Sequence, residues 1–152
     1  MLIGGVIFVS KIKIMKDELI KFETAKLAKE KGFDFKCRNY YLLKENGINT
    51  HEGFDDDYWG DNRIVNWNAN VVGIKPFIGF VSASTQSLLQ RWLRELHEID
   101  LDSTTTFSKQ YSFMCYQGQN PKPLFITNDF ETYELALESA LLEALNLIQT
   151  KP

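Results

Sequence analysis

The sequence predicts an α+β fold: a largely antiparallel sheet with three helices packed mainly on one face, in a single domain spanning residues 1–152. Three observations lead there. Three segments space their apolar residues at the helical period, the segments between them alternate apolar and polar residues as strands do, and short turn signals join neighbouring strands as hairpins. A chain of 152 residues is one domain's length, long enough to bury a core of its own.

The first apolar run, Leu2 to Val9, is too short to span a membrane, and it lacks the basic flank and cleavage site of a signal peptide. Together with the alternating Ser10 to Ile14 it reads as an extra strand over Val6 to Ile14 or as an N-terminal extension over 1–14. Lys11 and Lys13 would protect such a strand at a sheet edge. From Lys16 the pattern predicts a helix. Asp17 and Glu18 open it, Leu19, Ile20, Phe22 and Leu27 form its apolar side, lysines crowd its end and Gly32 stops it. Its stripe is loose, so the helix is expected along an edge of the fold.

Phe33, Phe35 and Cys37 alternate with charged residues and predict a strand continuing through Tyr40 to Leu42. Asn46-Gly47 predicts a hairpin turn with a return strand from Ile48. Asn49 to Asn62 has no apolar period and reads as a loop. Val65, Trp67, Ala69 and Val71 alternate with Asn66, Asn68 and Asn70, which predicts a further strand. Ile74 to Val81 carries Pro76 and Gly79 and reads as a bent edge segment or ordered loop.

Thr85 to Glu98 is the clearest helix. At about 100° per residue, Leu88, Leu89, Trp92, Leu93 and Leu96 share one side, opposite Gln90, Arg91, Arg94, Glu95, His97 and Glu98, with Ser84 or Thr85 as N-cap. Ile99 and Leu101, then Tyr111, Phe113 and Cys115, predict a two-stranded antiparallel element ending at Gly118. Leu124 to Thr127 predicts one short strand. Thr132 caps a last helix whose broad apolar face runs from Tyr133 to Ile148, and Leu135 and Leu142 lie off that face, which suggests more than one neighbour.

Three of these runs, FETAKLAKEKGF at Phe22 to Phe33, TQSLLQRWLRE at Thr85 to Glu95 and TYELALESALLEALNLI at Thr132 to Ile148, resemble a group of short uncharacterised proteins of Bacteroidetes genomes, their phages and mobile elements. In that group the residue before the middle run is commonly proline, where this chain has Ser84. The group tends to begin just ahead of the first run, which makes Met15 an alternative start. The resemblance brings no activity with it. It implies a cytoplasmic accessory protein, phage-borne or carried on a mobile element.

Composition narrows the function classes. A formal charge of -3 is too small for the electrostatic footprint of a nucleic-acid binder or of a mimic of one. Cys37 and Cys115 form no C-x-x-C and have no histidine at metal spacing, so they read as reduced core thiols. No glycine-rich nucleotide loop is present, and no cofactor is expected. Within the acidic stretch, Asp55, Asp57, Gly60 and Asp61 fit the early places of a calcium-loop template, but Trp59 and Asn66 occupy places that should supply oxygen ligands, so no metal is assigned. His51 offers a base for a catalytic carboxylate pair, with no sign of a sheltered cleft, and a metal-dependent hydrolase using the loop acids is a weaker alternative.

The leading candidate surface is a protein-partner site where aromatics stand beside acids: Phe54, Asp55, Asp56, Asp57, Tyr58, Trp59, Asp61 and Trp67. Exposed Trp and Tyr bury large area at low entropic cost. The alternative is nucleic-acid binding through Gln90, Arg91 and Arg94, whose side-chain types read base edges and phosphates, although Glu95 and Glu98 border that face and an Arg94–Glu98 pair at i,i+4 would neutralise it. The reading from sequence is a cytoplasmic protein-interaction module without catalysis or a membrane segment, its partner's identity unknown.

Overall fold

The computed structural model describes residues 17–44, 47–53, 64–69 and 77–149. The expected extra strand at 6–14 and the alternative start at Met15 lie outside them. The described chain is α+β, with helices α1 (Phe22–Glu30), α2 (Gln86–His97) and α3 (Tyr133–Leu147) and strands β1 (Asn39–Lys44), β2 (Gly47–Gly53), β3 (Phe77–Ala83), β4 (Ile99–Thr105), β5 (Tyr111–Gln117) and β6 (Phe125–Ile126). The strands form two antiparallel sheets, ordered β2-β1-β3 and β4-β5-β6, where one sheet was expected. α2 separates β3 from β4 along the chain, and each of these strands pairs only within its own sheet.

α1 starts later than its charge pattern suggests. Asp17 to Ile20 is extended and docks beside the end of β3: Ile20 N–H donates to the Ser84 carbonyl at 3.0 Å, and Gln86 N–H donates to the Glu18 carbonyl at 2.8 Å. Residues 33–36 keep the predicted alternation of buried Phe33 and exposed Asp34, but pairing begins only at a Cys37–Val65 bridge. β1 and β2 pair antiparallel as the expected hairpin requires, with Lys44 opposite Gly47. Its return strand runs to Gly53, through Asn49 to Gly53 where a loop was expected, because β1 supplies backbone partners that local sequence does not reveal. The strand expected from Val65 onward is instead one bridge residue followed by a 3-10 turn, Trp67–Ala69. Ile74 to Val81 does include a sheet-edge strand, β3.

The C-terminal elements follow the sequence closely. Thr85 and Thr132 cap α2 and α3, their side-chain oxygens accepting from Leu88 N–H at 3.3 Å and Leu135 N–H at 3.2 Å. β4 and β5 pair from Ile99–Gln117 to Thr105–Tyr111 without a register shift. Leu96 has the right direction for the buried side of α2 but is 55% exposed, while Leu93 is fully buried.

α3 lies at the centre, touching α1, α2, β4 and β5, while α1 packs on β3. Its alanines Ala136, Ala140 and Ala144 are fully buried, as are Ala25 and nearly so Ala28 of α1, which lets the helices approach closely. A continuous core joins Ile20, Phe33 and Val81 to Leu89, Trp92, Phe113 and Leu141. Each such large side chain stabilises the fold by about 1.5–3 kcal/mol on burial.

Candidate functional site

Seven of the eight residues proposed for partner binding, Phe54, Asp55, Asp56, Asp57, Tyr58, Trp59 and Asp61, lie outside the described residues. The eighth, Trp67, is not an exposed contact. It is 7% exposed, with ring centroids 4.4 Å from Tyr40 and 5.4 Å from Phe80. Its indole N–H donates to the Cys37 carbonyl at 3.0 Å. Its apolar ring and single donor fasten the 3-10 turn to the outer face of the first sheet.

The Gln90, Arg91 and Arg94 face is partly committed. Gln90 Nε2 donates to the Leu101 carbonyl at 2.9 Å. Arg91 Nε donates to Glu95 Oε1 at 2.7 Å, so the i,i+4 pair formed is this one rather than Arg94–Glu98. Arg94 is exposed. His97, expected in solvent, lies half-buried with its ring 4.4 Å from Trp92, and burial lowers its pKa.

The sequence reading missed Glu138, a carboxylate only 7% exposed. Its Oε1 accepts from Lys21 N–H at 2.8 Å and from Thr24 Oγ1–H at 2.5 Å; its Oε2 accepts from Gln86 Nε2 at 2.9 Å. Lys21 is the N-cap residue of α1 and has no side-chain cap of its own. Glu138 therefore supplies a cap from another helix and sets negative charge against the positive end of α1. Gln86 Nε2 also donates to the Glu134 carbonyl at 2.9 Å, so one amide binds α2 to α3. Tyr41 O–H donates to the Ile20 carbonyl at 2.7 Å, and burial, then the charge of Glu138, raises its pKa. With both carboxylate oxygens occupied, this centre is built to hold elements together. Gln86 shares the arc of Leu89 and Leu93, and Glu138 flanks Leu141 and Leu145. Two polar residues on apolar arcs were the available signal, since a buried polar group requires a partner.

Beside this network lies a cavity of about 240 Å³ lined by Asp17, Glu18, Gln86, Gln90, Tyr133 and Glu134, among others. The thiols are not activated. Both are buried, and burial raises the pKa of Cys37 and pushes that of Cys115 up to about 11.

The two sheets treat their outer edges differently. Along β3 and just past its end, three outward groups have partners: Lys29 Nζ donates to the Phe80 carbonyl at 2.7 Å, Ser82 N–H donates to Asn68 Oδ1 at 2.8 Å, and Ile20 N–H of the extended 17–20 segment donates to the Ser84 carbonyl. Asn68 also donates from Nδ2 to the Phe33 carbonyl at 2.9 Å. Along β4, the outward residues follow from the register. Cys115 and Phe113 carbonyls accept from Leu124 and Thr127, towards β6. Their cross-strand partners Leu101 and Ser103 therefore direct their backbone groups away from β5. Gln90 caps the Leu101 carbonyl, and Ser103 and Thr105 have no recorded partner on that edge among the described residues.

The helices cover one face of the second sheet, burying Leu101, Phe113 and Cys115. On the other face, cross-strand pairing sets Asp100 beside Tyr116, and Asp102 and Ile126 on either side of Met114. Ile126 is 59% and Leu124 44% exposed, and Phe107, in the β4–β5 turn, is fully exposed.

Among the described residues no group of three or more His, Cys, Asp or Glu side chains is placed to hold a metal ion, and no helix is long and apolar enough to cross a membrane. No family model matches the chain, and no curated protein or solved structure shows significant similarity to it.

Proposed function

We propose that this chain is a non-enzymatic protein-interaction module that works in the cytoplasm as an accessory protein of phage or mobile-element origin. The resemblance to short Bacteroidetes proteins supports the setting. The observation that carries the interaction is the outer face of β4-β5-β6, where Leu124 and Ile126 stand exposed beside half-buried Met114 and Tyr116. Apolar side chains gathered on a rigid sheet suit a partner's surface. Glu138 serves the fold, saturated by three donors, and burial raises the pKa of both thiols.

The test is affinity capture from host lysate by the full chain and by a Leu124→Asp, Ile126→Asp double variant. The intact chain should retain one stoichiometric protein that the double variant loses while keeping its thermal midpoint. Capture unaffected by the double variant, or no stoichiometric capture, would defeat the reading.

A further inference from the structure

We propose that the open edge of β4 receives an extended segment of a partner protein with Lys or Arg at alternate positions, which joins β4-β5-β6 as a fourth strand. This rests on the interaction-module reading and adds the partner's chemistry.

The geometry of the edge comes first. Gln90 closes the Leu101 carbonyl at one end, and the Thr106–Gln110 turn closes the other, where Thr106 N–H donates to the Gln110 carbonyl at 2.9 Å. Between them Ser103 and Thr105 are exposed and present their N–H and C=O groups outward. Proline, lysine and a bulge, three of the usual protections of an edge, are absent here, since the register of β4 with β5 is unbroken, and the charges the strand does contain are those of Asp100 and Asp102. A strand laid along this edge would take up those groups as ladder partners.

Charge identifies the occupant. Asp100 and Asp102 stand on the outer face of β4, two residues apart, so an added strand sets residues i and i+2 directly opposite them, with Cβ atoms about 4.5–5.5 Å away. Opposite charge is favoured at that distance and like charge disfavoured. On the helix side, the Gln90 that caps Leu101 also lines the cavity with Asp17, Glu18 and Glu134, while Arg94 is exposed one turn further along the same helix face. A second copy fits less well. Two β4 strands side by side would bring their own aspartates into one strip, where like charges repel.

The experiment follows amide hydrogen exchange in the full chain on adding a synthetic decapeptide of alternating Lys and Thr, with the Glu-for-Lys peptide as control. The Lys peptide should slow exchange at Ser103 and Thr105 by at least about tenfold, an effect that salt weakens and the Glu peptide does not reproduce. Ser103→Pro, which removes an edge donor, should abolish the protection, and Asp102→Lys should do so with the backbone donors intact. Equal protection by both peptides, no protection by either, or concentration-dependent protection in the protein alone, which would identify a second copy, overturns the proposal. If lysate capture depends on Leu124 and Ile126 while Ser103 and Thr105 stay unprotected, the interaction-module reading stands and the strand-addition inference fails.

Discussion

The outer edges of β3 and β4 pose the same physical problem, a row of backbone groups facing away from the sheet, and the chain answers it in two ways. At β3 the closing groups come from distant sequence: Lys29 from α1, Asn68 from the 3-10 turn and the extended segment before α1. At β4, among the described residues, one side chain closes an outward group, Gln90 from the neighbouring helix. Backbone polar groups cut off from water require partners, whereas groups facing solvent can leave the place open for another chain. The β3 edge is therefore closed from within, and the β4 edge is where a binding partner has something to complete.

The largest effect in this comparison belongs to Glu138, which holds the extended segment and Gln86 at the closed end of β3. Glu138→Ala orphans Lys21 N–H and the Thr24 hydroxyl and leaves the Gln86 amide with the Glu134 carbonyl alone. It should cost about 3 kcal/mol, within the range for breaking a buried charged network, read as a fall in the urea midpoint. Asn68→Ala comes next. It removes the acceptor of Ser82 N–H and the donor to Phe33, for a loss of about 2 kcal/mol. A near-neutral Asn68→Ala would show that the β3 edge does not need its closure and would break the comparison.

How much of this was legible in the sequence depends on the distance to each residue's partner. Thr85, Thr132 and the β4–β5 hairpin were legible because caps and alternation act over a few neighbouring residues. Asp17 to Ile20 reads as the start of a helix, since its acids and leucine suit one, yet the Ser84 carbonyl holds Ile20 as an extended chain. Asn68 looks like one of a row of surface amides until it meets Ser82. Of the candidate sites, the Arg-rich helix face was visible as a pattern, but the commitment of Gln90 to Leu101 was not. The open β4 edge was illegible altogether, because an absence of pairing belongs to topology.

Each half of the molecule contains one thiol, which allows the two to be compared without mutation. Cys115 belongs to the continuous core, while Cys37 lies beside the 3-10 turn, outside that cluster. With a pKa pushed up to about 11, Cys115 has on the order of one thiolate in a thousand at pH 8 while it stays buried. Reagent therefore reaches both thiols through opening of the fold, and Cys37 should be labelled at least about tenfold faster, corresponding to an opening about 1.4 kcal/mol easier. Proline exchange then tests the edges directly. Ser103→Pro should cost under about 1 kcal/mol, because an edge position facing solvent tolerates a missing N–H. Ser82→Pro, which breaks the bond to Asn68, should cost several times as much by the same thermal assay.

The smallest effect sharpens the contrast from the side of backbone strain. Among the described residues, the two non-glycine residues at positive φ are Glu98, at 55°, and Lys109, at 59°, and they stand just before β4 and in the turn after it. Holding a side chain in the left-handed region costs roughly 1–2 kcal/mol, and glycine relieves this while losing about 0.5–1 kcal/mol to its greater unfolded-state freedom. Glu98→Gly and Lys109→Gly should therefore each stabilise the protein by a few tenths to about 1 kcal/mol. A strand separates the two sites by about 20 Å at 3.3 Å per residue, so their effects should add within about 0.5 kcal/mol in the double variant. A clear shortfall from additivity, measured as thermal midpoints, would mean that strain at the two ends is shared through β4. The strand with the open edge would then be held taut as a unit.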